Sequence, residues 1–175
     1  YYDFVNGAVH FFMLNSNTSQ SDAAWATQVS WLQAQLQAST STWNIVVLHH
    51  PPYSSDATHG SNLTTQLAYA SWGADLVLSG HAHTYERLSV SDTPYIVNGL
   101  GGAGRYSFGT PINTSSVQSL VRYNSNWGAQ KVTVTSTSLA MQFIDVTGVV
   151  RDTLTLSSTP PVVAQMHVGA VSGSA

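Results

Sequence analysis

Two apolar runs, NIVVL at residues 44–48 and DLVLS at 75–79, each stop where a histidine-bearing turn begins. Neither run alternates polar with apolar, so each reads as a strand buried on both faces, the pattern of a parallel sheet covered on both sides. A third run, AVHFFMLN at 8–15, reads the same way. Between the first two strands Trp25, Val29, Leu32 and Leu36 recur at helical spacing, with Ser19 or Ser21 as cap and Asp22 suited to the positive end of the dipole. That helix is expected to end near residues 39–42. A second is expected over 62–72, with Gly73 as its stop. Strand, helix, strand, helix, strand implies an α/β architecture with parallel β/α units and right-handed crossovers.

Beyond His83 the texture changes to short β-rich pieces, TYERLSV, PYIVNG, KVTVTS, LAMQFIDV and RDTLTLS, separated by turn residues. These are expected to form an antiparallel extension. Gly99, Gly101, Gly102 and Gly104 make a loop that resembles a phosphate cradle, but no P-loop Lys-Ser/Thr follows it, so it reads as a turn. Residues 1–158 are expected to be one unit and 159–175 a linker or disordered tail.

Charge and cysteine content remove several function classes. Only 7% of residues are charged, against a usual ~25%. Five Lys and Arg at a net charge of −3 leave no basic footprint for nucleic acid or anionic membrane. A bound phosphate must therefore be held by something other than a lysine cluster. With no cysteine there is no disulfide framework and no thiolate metal site. No apolar run approaches the ~20 residues needed to cross a bilayer. Low charge and Ser/Thr richness lean toward a secreted, periplasmic or extracellular protein, while sequons at Asn17, Asn62 and Asn113 arise by chance in so Ser/Thr-rich a chain. The sequence opens at Tyr1 without an initiator Met, and a processed or truncated amino terminus is expected.

Three of the seven histidines directly follow expected strands: His49 after NIVVL, and His81 with His83 after DLVLSG. Ligands of open α/β sheets collect beyond the carboxyl ends of the strands, so two strand ends present imidazoles to one place. Gly80 is expected to let the backbone turn sharply. The His-x-His spacing points two rings at neighbouring ions if Ala82 is turned away, and imidazole suits zinc, iron, manganese and nickel alike. His10, inside its apolar run, reads as a satisfied strand histidine, and His167 as incidental. Trp25, Trp31 and Trp43 read as packing residues.

DLVLSGHAHTYER closely resembles the Gly-His-x-His-x-Tyr-Glu-Arg motif of the calcineurin-like metallophosphoesterases, in their purple acid phosphatase-like branch. VVLHHPPYSS followed by His59 and Gly60 is similar to the His-x-Pro-x-Tyr motif of that branch, and the likeness runs on through QVSWLQAQL, PYIVNGLGG and GVVRDTLTL. The resemblance implies the carboxyl-terminal half of an αββα sandwich and hydrolysis of small phosphate esters at a binuclear centre of Fe, Zn or Mn. It implies that His49 and His81 bind one metal and His83 the other, with His50 a structural neighbour. It implies that His59 contacts the phosphate or protonates the leaving oxygen, with Tyr53 lining the pocket. Glu86 and Arg87 are expected either to form an ion pair that steadies the loop or to contact substrate.

The family's Gly-Asp-x-x-Tyr and Gly-Asn-His-Glu motifs, which supply a bridging carboxylate and an amide ligand, do not occur in the sequence. Three imidazoles and a water can hold one zinc. The chain by itself is thus expected to hold one ion or none, to be a weak or inactive hydrolase, and to need an amino-terminal half. The competing readings are a silent metal- or phosphate-binding module and a mononuclear zinc hydrolase.

Overall fold

The computed structural model describes residues 1–17 and 22–158, and its first element precedes the first expected strand. Strand β1 (Tyr2–Asn6) pairs antiparallel with β2 (Val9–Met13) across a tight turn in which Gly7 has a φ of +60°. Asn6-Gly7 is a hairpin signal. It is masked by the aromatic residues on both sides, which lengthen the apolar run and hide its interruption. Ser19, Ser21, His167 and the expected tail lie outside the described residues.

Helix α1 (Ala23–Ala38) is capped by Asp22, whose carboxylate accepts the N–H of Ala24 at 2.9 Å. Its inner face is Trp25, Gln28, Leu32 and Leu36. Gln28 takes the buried place expected of Val29 because its amide brackets the backbone of Asn15, accepting from the N–H at 2.6 Å and donating to the carbonyl at 3.1 Å. Strand β3 (Trp43–Val47) follows.

The second expected helix does not form over 62–72. A 3-10 turn at Leu63–Thr65 and a single helical turn, α2 (Tyr69–Trp72), replace it. The hydroxyl of Thr65 bonds back to Asn62 O at 3.0 Å, and Gln66 reaches across to Pro52 O at 2.8 Å. Side chains that bond locally or to a neighbouring loop compete with the helical ladder, and here they win. Gly73 does end α2, at a φ of +109°.

Strand β4 (Leu76–Ser79) leads to β5 (Tyr85–Val90), β6 (Thr93–Asn98), β7 (Val117–Tyr123), β8 (Gly128–Val134), β9 (Ser138–Asp145) and β10 (Val150–Ser157). The strand order of the larger sheet is β1-β2-β3-β4-β6-β5-β7, with β2, β3, β4 and β6 mutually parallel. The purely antiparallel extension expected past His83 is therefore split. PYIVNG joins the parallel core as β6, while β8, β9 and β10 form a separate three-stranded antiparallel sheet. β7 was not among the expected strands, because its partly exposed polar positions give it a weak apolar signal.

The parallel strands read as continuous apolar runs because both faces are covered. Phe12, Val46, Val77 and Val97 face the helices with Leu32, Leu36 and Tyr69. Val9, Ile45, Leu76 and Ile96 face Leu139, Met141 and Phe143 of the small sheet. Helices, mixed sheet and antiparallel sheet thus stack in successive layers of an α/β architecture. Among the described residues no helix is long and apolar enough to cross a membrane.

Candidate metal centre

The carboxyl ends of β3 and β4 are tied together before either loop departs. Leu48 N–H bonds to Leu78 O at 3.0 Å and Gly80 N–H to His49 O at 3.1 Å. The sharp turn expected at Gly80 occurs one residue later: His81 itself has a φ of +62°, an uncommon conformation for a residue with a side chain. Ala82 is fully buried and turned inward, as the His-x-His spacing requires. His81 and His83 are left partly exposed on either side of it.

This arrangement brings His49 Nε2 to 3.0 Å from His81 Nδ1. Two nitrogens of one tetrahedral zinc, each bonded at about 2.0–2.1 Å, stand about 3.3 Å apart, so the pair is close to the edge of a shared coordination sphere. His50 lies in the same cluster, and one ligand atom from each of His49, His50 and His81 falls within 4.8 Å of the others. Proximity does not make His50 equivalent. The hydroxyl oxygen of Ser16 accepts the N–H of His49 at 3.2 Å and of His50 at 2.9 Å, so its own proton is directed to His50 Nδ1 at 3.0 Å. That leaves the His50 ring proton on Nε2, where it offers a donor rather than a lone pair.

His83 is the reverse case. Its Nδ1 lies 2.6 Å from Gly104 O, and a carbonyl only accepts, so Nδ1 carries the proton and Nε2 carries the lone pair. Metal-binding imidazoles characteristically have their second nitrogen held this way. Burial and the facing rings of His59, His50, His49 and His83 push His81 down to about 4, and burial with His49 also lowers His50. At neutral pH the His81 ring is therefore uncharged and able to ligate a cation. The residues fit a metal.

His59 joins the cluster from the loop after β3, its ring centroid 4.1 Å from that of His81. Its backbone N–H is held at 2.7 Å by the buried carboxylate of Asp56. Beneath it Glu86, wholly buried, accepts the N–H of Ser55 at 2.7 Å, the hydroxyl of Ser55, and the hydroxyl of Ser119 at 2.6 Å. Glu86 and Arg87 do not pair with each other, because successive side chains of β5 point to opposite faces. Arg87 instead makes a bidentate pair with Asp152 of β10 at 2.7 and 3.0 Å, joined by Tyr85 OH at 2.8 Å. Neither contacts the histidines.

Tyr53 is not brought to the histidines. Past the buried prolines Pro51 and Pro52 its ring packs edge-on to Tyr95 at 5.6 Å, against the helix-side core, and this burial raises the pKa of its hydroxyl. His10 is satisfied within its strand, by Asp3 at 2.7 Å and Ser39 at 3.1 Å. Ser16 and Tyr106, the latter stacked on His83 with centroids 4.2 Å apart, went unseen in the sequence. An aromatic residue directly after a glycine run was the available signal for Tyr106.

The sequence pattern of the calcineurin-like phosphoesterases matches residues 1–85, and that of the iron/zinc purple acid phosphatase-like protein C family matches 93–153. The chain belongs to the calcineurin-like phosphoesterases, in their purple acid phosphatase-like branch. It is 38% identical to purple acid phosphatase 18 of Arabidopsis thaliana over 96 residues, covering 50% of this chain and 21% of that protein. It is 40% identical to Fe(3+)-Zn(2+) purple acid phosphatase 12 of the same plant over 86 residues, covering 43% and 18%. The chain thus spans about a fifth of the length of these relatives. A solved structure described as GAP50, the anchor in the inner membrane complex of Plasmodium, superposes with a TM-score of 0.70 at 21% identity, covering 91% of this chain and 53% of the other. That likeness is one of fold.

Proposed function

We propose that this phosphoesterase-family chain supplies the histidine side of a two-metal site that hydrolyses small phosphate esters, monoesters foremost, in the manner its purple acid phosphatase relatives' names describe. The observation that carries the reading is the 3.0 Å approach of His49 and His81 from two different strand ends, with His83 beside them and its Nε2 lone pair free. In this reading His49 and His81 hold one ion and His83 a second, drawn from iron, zinc or manganese. Bound there, a pair of cations would acidify a water, orient the phosphoryl group and offset charge on the attacking and leaving oxygens.

The chain's own residues have distinct tasks. His50 offers its Nε2 proton as a hydrogen-bond donor to a phosphoryl oxygen. His59, exposed and beside His81, is placed to give a proton to the leaving oxygen. Residues 1–158 act as the carboxyl-terminal portion of a catalytic domain whose carboxylate ligands come from an amino-terminal portion, and a secreted or periplasmic setting suits the low-charge surface.

A second reading is favoured by one observation: among the described residues the cluster contains imidazoles and no carboxylate. It assigns the chain a single zinc. Metal content separates the two. Near two ions per molecule in a preparation extended upstream of Tyr1, with metal-dependent turnover of p-nitrophenyl phosphate, supports the first reading. One zinc per molecule and no phosphate release from that preparation would overturn it. The 175-residue chain by itself is expected to turn over weakly or not at all.

A further inference from the structure

The glycine run at 99–104 has no part in the reaction described so far, and its geometry argues against a phosphate cradle. A cradle presents N–H groups. In this turn and the residues just after it, carbonyls are engaged: Ala103 O by Trp127 Nε1 at 2.8 Å, Gly104 O by His83 Nδ1 at 2.6 Å, and Tyr106 O by Asn124 Nδ2 at 2.7 Å. We propose that the turn and Tyr106 form a clamp that positions His83, so that Tyr106 is a positioning residue for the metal site.

Three contacts fix His83 together. The Gly104 carbonyl sets the tautomer. The Tyr106 ring lies flat on the imidazole, with centroids 4.2 Å apart and planes within 11°. The N–H of Tyr106 bonds to the carbonyl of His83 at 3.1 Å, which anchors the stacking ring to the residue it stacks on. A stacked plane opposes rotation of the imidazole, while the hydrogen bond selects which nitrogen faces outward. The same tyrosine meets His59 edge-on at 5.3 Å, so one ring also spaces the proposed metal ligand from the proposed proton donor.

Close approach is what demands the glycine. A Cβ added at Gly99 would lie 2.1 Å from Ala82 O and 2.9 Å from His83 Cα, both backbone atoms that cannot step aside. From outside, the Arg105 guanidinium covers the Trp127 ring at 5.0 Å and donates to Ser125 O, fastening the turn to the chain beyond β7. The clamp is therefore built from both sides. A hollow of about 470 Å³, lined by Tyr106, Arg105, Asn124 and Trp127, opens beside the turn.

The inference rests on His83 being a ligand, and the test keeps the two apart. Long-range proton–nitrogen correlation of the metal-free, nitrogen-15-labelled chain reads the tautomer of His83 directly. The expected result is a single Nδ1–H form in the parent chain and in Tyr106→Phe, and a mixture of tautomers in Tyr106→Ala. Zinc is then titrated into the same variants of the preparation extended upstream of Tyr1, because in the proposed reading the ion at His83 also takes carboxylate ligands from the amino-terminal portion. It should shift His83 Nε2 in the parent and in Tyr106→Phe, with zinc affinity about 10–100-fold weaker in Tyr106→Ala. Tyr106→Leu, which keeps bulk but has no ring plane, replaces the alanine variant if that fails to fold. An unchanged tautomer and unchanged zinc response in the ringless variants would overturn the clamp. A His83 locked in one tautomer but silent to zinc would overturn the ligand assignment and leave the clamp standing.

Discussion

The two faces of β5 hold their charges in contrasting ways. On one face Glu86 is wholly buried and is held by three hydrogen-bond donors from Ser55 and Ser119. Arg87, the next residue, serves the opposite face, where it grips Asp152 and Tyr85 and binds the large sheet to the small one. The first arrangement holds up the loop that presents His59, and the second holds two layers together. Adjacent letters of one motif are thus tested by different measurements.

Substitution on the site face should give the largest effect. Glu86→Ala leaves the Ser55 N–H and two hydroxyls unmatched in a dry setting, and the expected destabilisation is about 3 kcal/mol by urea denaturation. It should also release the His59 loop, lowering phosphatase kcat of the upstream-extended protein by roughly 100-fold or more. Glu86→Gln, which keeps acceptor capacity, should recover most of the stability. His59→Ala separates the two consequences, with a kcat loss of roughly 100-fold and a urea midpoint near that of the parent, since the ring is exposed. A large stability loss in His59→Ala would break the division of labour on this face.

On the opposite face, Asp152→Asn should cost about 2 kcal/mol, because it strips charge from a bidentate, mostly buried pair. Zinc affinity by calorimetry should not change. If this variant lowers kcat of the upstream-extended protein as much as Glu86→Ala does, the faces of β5 are coupled and the contrast fails. Ser16→Ala is expected to be milder, near 1 kcal/mol, since it removes one hydroxyl serving two N–H groups at the edge of the site. Its sharper readout is the His50 ring, which should no longer be confined to the Nε2–H tautomer.

The same contrast explains what was legible in the sequence. The strands carrying His49, His81 and His83 are buried on both faces, so their apolar runs announce them and their stops locate the histidines. Glu86 and Arg87 were read as a pair because the motif places them side by side, whereas strand alternation sends them apart. The helix expected at 62–72 gives way because Thr65 bonds back locally to Asn62 and Gln66 finds its partner in the loop at Pro52. Tyr53, partly buried, packs on Tyr95 beside the core, a direction of turn after two prolines that the motif does not encode. His50 and Ser16 show the limit for the site itself. Which imidazole offers a lone pair depends on hydrogen bonds made across more than thirty residues, and no local pattern reports them.

The smallest expected effect comes from the imidazoles acting on one another. Without metal, His81 has its pKa lowered to about 4 by burial first and by His59, His50, His49 and His83 next, against about 6.5 for the unfolded chain. Between those values the unfolded chain binds a proton that the folded chain refuses, so stability must fall as pH drops from about 6.5 toward 4 and level off below, as far as this group is concerned. The ring is mostly exposed, so after solvent screening the loss is under about 1 kcal/mol. Carboxylates titrate near the lower end of the same window. Comparison of urea midpoints for the parent and His81→Asn at pH 7.5, 5.5 and 4.5 isolates the histidine contribution. The parent should lose stability faster than the variant, and saturating zinc should steepen the difference because only the neutral ring binds. Parallel midpoint curves would show that the site face carries no strain of its own, and would reduce the contrast between the faces of β5 to a difference in packing.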